Sequence, residues 1–88
     1  MNKICIWIIL LGLSLQYSLP KRGKTRLCVY NLKGQLIREL VNEEQERGQY
    51  LAVWDGTDKK ARQVSSGIYF AHLVSGTQNY IHRMILMK

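Results

Sequence analysis

The stretch that most constrains the fold is residues 50–70, in which two alternating runs flank a polar loop. Side chains of a strand alternate between its two faces, so Tyr50, Ala52 and Trp54 share one face of the first run, while Tyr69, Ala71 and Leu73 share one face of the second. Two aromatic-bearing faces so close in sequence call for a common interior, which is the core of a layered β structure. Between them, Asp55, Gly56 and Asp58 carry turn chemistry, because an Asp carboxylate accepts from amides downstream of itself and Gly accepts positive φ. Gly67 frees the backbone to enter the second strand, and its missing side chain is expected to leave room for Trp54. The stretch specifies the corner of a core and no chemistry.

With 88 residues the chain has room for one domain and a small core. A domain of about 60 residues buries only about 60% of the surface its unfolded chain exposes, so every buried aromatic counts. The two cysteines are expected to be unpaired: Cys5 lies in an apolar run, and Cys28 alternates with Leu27 and Val29 in a strand. The net charge of +7 favours polyanionic partners. Its one local cluster is Lys21, Arg22, Lys24 and Arg26, which also suits the solvated face of an edge strand, and no specific nucleic acid is expected.

Residues 1–14 have the layout of a secretory signal, with Lys3 ahead of an apolar run from Ile4 to Leu13 and small residues at Gly12 and Ser14. The run is shorter than the roughly 18 apolar residues of a spanning helix, so an export signal cleaved after Ser14 is favoured over an anchor, and an apolar strand of a longer protein is the competing reading. Residues 15–88 then form the domain. Leu15, Tyr17 and Leu19 share a face of a short edge strand stopped by Pro20, and residues 25–30 form a strand with Leu27 and Val29 inward. A turn places Gly34 at positive φ, residues 35–41 return as a hairpin strand, and residues 42–48 read as an exposed charged connector. After a tight turn at residues 75–78, a last strand places Tyr80, His82, Met84 and Leu86 on one face and Ile81, Arg83, Ile85 and Met87 on the other. Both faces carry apolar side chains, so this strand is covered on both sides or offers one to something outside. About six short antiparallel strands, with turn signals every 8 to 12 residues or so, predict an all-β sandwich.

Tests for chemistry end in structural readings. Asp55 and Asp58 could open an oxygen-ligand site, yet calcium takes about 6–8 oxygens and no further carboxylate follows nearby, so turn capping is favoured. His72 and His82 sit on strands that pair without a third ligand, and Ser65 and Ser66 lack a nucleophile elbow or a general base. No catalytic, cofactor or metal site is read.

Residues 29–35, 48–50, 53–58, 66–70 and the ending 83–88 together make one ordered pattern. It resembles the immunoglobulin-like domain shared by flagellar hook-capping proteins of the FlgD type and by C-terminal type IX secretion sorting domains of Bacteroidota-like bacteria. The resemblance covers residues 15–88 and implies a small immunoglobulin- or fibronectin-like β-sandwich that carries no reaction. It implies fold-defining roles for Tyr50, Trp54, Asp55, Gly56, Gly67 and Tyr69, and a surface for outer-membrane secretion machinery at Arg83, Met84, Ile85, Leu86, Met87 and Lys88. It also implies a secreted or cell-envelope location, as a sorting or surface-attachment module lacking its cargo or, alternatively, a structural unit that packs against other proteins. Two departures stand out. The family usually opens with an Asn-Pro-x-x-Pro-like segment and a first strand, where this chain has its apolar residues 1–13, so self-association through an edge left unpaired there is expected. The loop after Asp58 commonly has Gly where Ala61 stands, a source of strain if that position takes positive φ.

Overall fold

The computed structural model describes the backbone of residues 5–9 and 13–87 and the side chains of residues 14–87. The described chain is all strand, turn and loop: β1 (Cys5–Ile9), β2 (Leu13–Leu19), β3 (Gly23–Asn31), β4 (Leu36–Gln45), β5 (Gly48–Trp54), β6 (Gly67–Ser75) and β7 (Gln78–Leu86). Every pairing is antiparallel. One sheet has the order β1-β2-β5 and the other β4-β3-β6-β7. The result is the all-β sandwich that turn spacing predicts, with seven described strands where about six were expected, and it has the small immunoglobulin-like form that the resemblance implies.

Alternation builds the core. From β2 come Leu15, Tyr17 and Leu19, from β3 Leu27 and Val29, from β5 Trp54, from β6 Tyr69, Ala71 and Leu73, and from β7 Met84 and Leu86. These side chains project from the facing sides of two antiparallel sheets, the arrangement that lets a short chain bury apolar groups from both layers. Trp54 is 1% exposed and meets Tyr69 edge to face, with ring centroids 5.1 Å apart. On the same side of β5, Tyr50 stacks on Tyr17 at 5.4 Å.

The structure corrects several expectations. β2 is not an edge strand within the described backbone, because Cys5–Ile9 pairs along it from Cys5 opposite Ser18 to Ile9 opposite Ser14. The expectation of an open edge beside β2 is thus replaced by a paired one. Of the signal-like stretch 1–14, residues 1–4 and 10–12 lie outside the described residues, as does Lys88, while residues 5–9 are the strand β1. The connector expected at residues 42–48 is mostly strand: β4 runs on to Gln45, whose side chain is buried and accepts a 2.8 Å bond from the Tyr17 hydroxyl. Its charged residues face solvent on an edge strand, where polarity signals an edge as readily as a loop.

β4 also breaks simple alternation. Register shifts against β3 fall between Leu27 and Cys28 and between Val29 and Tyr30. Each adds a residue to β4, and such bulges re-aim side chains, here allowing Ile37, Leu40 and Val41 all to pack against the core. Gly67 does not make room for Trp54, since nothing lies within 4 Å of where its Cβ would stand; its role is conformational, at φ +156°.

Candidate recognition surfaces

The loop joining β5 to β6 is organised by Thr57, a buried residue. The Trp54 indole N–H donates to the Thr57 carbonyl at 2.8 Å, the Thr57 amide and hydroxyl donate to Asp55 Oδ1, and Arg38 Nη1 donates to Thr57 Oγ1 at 2.8 Å and to the Asp58 carbonyl at 2.9 Å. Asp58 Oδ1 accepts from the amides of Lys60 and Arg62, and its second oxygen accepts from Arg62 Nε at 3.0 Å. Both carboxyls are held below the usual carboxylate range, Asp55 first by the Thr57 hydroxyl and Asp58 first by the Arg62 amide. Both oxygens of Asp58 and the Oδ1 of Asp55 are therefore engaged in shaping the loop, which is the turn-capping reading. Ala61 does stand at positive φ, +62°. Sequence reasoning missed Thr57 and Arg38: a Thr inside a turn and an Arg in a strand give no signal until the strand is docked under the loop.

The remaining constellations also resolve into structure. His72 lies opposite Ile81 and His82 opposite Ala71, so the two histidines are one register step apart and project to opposite faces of their sheet. Among the described residues no three His, Cys, Asp or Glu side chains are grouped to hold a metal ion. Cys28 is a free, buried thiol, and burial pushes its pKa up, which disfavours the reactive thiolate. In the basic cluster, Arg26 Nε meets Glu39 at 2.7 Å, and Arg22 reaches Glu46 at 3.3 Å and Glu44 at 3.7 Å. Half of the cluster is thereby offset by the carboxylates of β4 and its exit, which weakens any polyanion track.

What remains open is surface. On the solvent side of the larger sheet, Tyr30 pairs with Phe70 and Phe70 with Arg83, while Ile68 pairs with Ile85 and His72 with Ile81. Tyr30, Phe70, His72 and Ile81 line a shallow apolar groove of about 310 Å³ with Leu32. Ile81 and Ile85 are each 58% exposed. The closing segment divides by alternation: Met84 and Leu86 are buried in the core, whereas Arg83, Ile85 and Met87 face solvent. Of the residues 83–88 considered as a partner surface, only those three are both described and accessible. Of the fold-defining set, Trp54 and Tyr69 meet in the core, Asp55 and Gly56 shape the loop, Tyr50 packs beside Tyr17, and Gly67 starts β6.

No curated protein matches the chain. A family model described as FlgD Ig-like domain matches residues 12–79, well over half of the sequence, beginning just before β2 and ending as β7 begins. Domains of this kind are in general non-catalytic. With two antiparallel sheets, the Trp54–Tyr69 core and a match of that extent, the chain belongs to the FlgD Ig-like domain family.

Proposed function

We propose that this chain is a non-catalytic recognition module of an exported protein, an immunoglobulin-like unit that works by packing against other proteins. The observation that carries this reading is the apolar solvent face of β6 and β7, where Ile81 and Ile85 stand exposed beside the half-buried Ile68 and Phe70. Contiguous exposed apolar side chains rimmed by polar ones mark interaction surfaces, whereas scattered ones do not. The occurrence of FlgD-type domains in exported proteins of the flagellar hook supports a secreted or envelope location.

A finer reading is secretion sorting or cell-surface attachment, with outer-membrane machinery of the type IX kind taking hold of β7. It is supported by the position of β7, which pairs with β6 and no other described strand and offers Arg83, Ile85 and Met87 to solvent. The alternate side chains of an exposed strand give a partner a specific set of contacts to read. The test is to place the domain behind a periplasmic reporter in a type IX-competent bacterium and compare it with I81E and I85E variants, whose substitutions lie outside the core. Surface delivery lost in the variants supports both readings. Retention of the unsubstituted fusion in the periplasm overturns sorting and leaves the packing module, which then fails only if I81E and I85E leave every association of the domain unchanged.

A further inference from the structure

The edges of the two sheets differ in how they are protected. In the larger sheet, β4 carries Arg38, Glu39, Glu43 and Glu44, and β7 carries Arg83. Charges on an edge strand discourage it from pairing with another molecule. In the smaller sheet, β5 carries no charge from Gly48 to Trp54, pairs with β2 on one side, and has no described strand on the other. On its solvent face Leu51 is 58% and Val53 61% exposed. An uncharged edge with exposed apolar side chains is a template for a further strand.

The residues that bracket this edge say which strand it takes. Arg47 stands immediately before β5 and Asp55 immediately after it, and both are exposed. Arg47 pairs with no carboxylate among the described residues. We infer that β5 is a homotypic interface at which two copies of this chain pair antiparallel about a two-fold axis through Leu51. In that register Gly48 lies opposite the partner's Trp54, Gln49 opposite the partner's Val53 and Tyr50 opposite the partner's Ala52. All seven residues of the strand are used, and Arg47 of each copy falls opposite Asp55 of the other, twice. A parallel arrangement would set Arg47 against Arg47. Charge complementarity at both ends, on a protein whose net charge of +7 otherwise opposes self-association, selects a second copy in this orientation.

On the solvent face the two Leu51 side chains meet at the axis, flanked by the two Val53 side chains, and the exposed apolar area is covered. The contact is about 24 Å long at roughly 3.4 Å per residue. It is therefore at the small end of specific interfaces, and a reversible dimer is expected. The closed two-fold joins the two small sheets into one and uses each β5 edge once.

Sedimentation of the full 88-residue chain over a concentration series tests this. A monomer–dimer equilibrium is expected, weakened at least tenfold by L51K, which sets two ammonium groups on the axis, and weakened by R47E, which opposes carboxylates at both ends. Register is read by cross-linking under mild oxidation: L51C traps a disulfide-linked dimer, whereas V53C, about 14 Å from its own copy four residues along antiparallel strands, does not. L51C and V53C share the native cysteines, so the difference between them stands even if L51K fails to fold. A monomer at all concentrations, a self-association that L51K leaves unchanged, open-ended growth beyond the dimer, or equal trapping of L51C and V53C would each overturn the inference.

Discussion

Replacing Ala61 with glycine is expected to stabilise the domain. The loop imposes a left-handed backbone at this position: the Ala61 amide donates to the Asp58 carbonyl at 2.9 Å, the Asp58 amide to the Arg62 carbonyl at 2.9 Å, and the Asp58 carboxylate holds the amides on either side. With φ at +62°, the alanine Cβ crowds the following carbonyl oxygen, at a cost of about 1–2 kcal/mol for an L residue. Glycine removes that cost but loses more freedom on folding, about 0.4–1 kcal/mol. The net gain is about 0.5–1 kcal/mol, which raises Tm by about 2–8 °C in a domain of this size. The mirror experiment is Gly34→Ala. Gly34 has φ +82° with nothing within 4 Å of a built Cβ, so the substitution adds left-handed strain without a clash and is expected to lose about 1 kcal/mol. Urea unfolding followed by circular dichroism measures both. A destabilised A61G beside a destabilised G34A would refute strain at position 61, and a costless G34A would refute the premise that positive φ penalises this backbone.

Trp54→Phe removes the indole donor to the Thr57 carbonyl and leaves a gap against Tyr69, and a loss of about 2–4 kcal/mol in urea unfolding is expected. Tyr17→Phe leaves the buried Gln45 carbonyl oxygen without its partner and should lose about 1–2 kcal/mol by the same measurement, with the sheets otherwise intact. Asp55 and Asp58 have lowered pKa values when folded, so the unfolded chain takes up protons first as the medium is acidified. Their contribution is complete above the unfolded carboxylate range near pH 4, disappears as pH falls through the lower folded values, and should show as a drop in urea midpoint between about pH 5 and pH 2 that shrinks in D58N.

Much of the candidate site was legible because strands announce it by parity. The split of β7 into buried Met84 and Leu86 and exposed Ile81 and Ile85 follows from alternate positions, and so does the meeting of Trp54 with Tyr69. The Asp55 and Asp58 turns were legible because a carboxylate bonds amides two to four residues downstream, within the reach of a local reading. Thr57 as a hub was not, since its bond from Arg38 spans nineteen positions and exists only once β4 lies against the loop.

Local chemistry determined the class of this protein: alternation, turn residues and the absence of a helical period require two packed layers of short strands with aromatic residues between them. Tertiary structure decided which strands lie at edges, because edges depend on long-range pairing that neighbouring residues do not encode. Thus polar residues 42–45 proved to be strand and not connector, the bulges of β4 brought Ile37, Leu40 and Val41 to the core, and uncharged β5 came to lie with one side unpaired. An unpaired backbone edge is where such a domain can bind, and only the docked sheets reveal it.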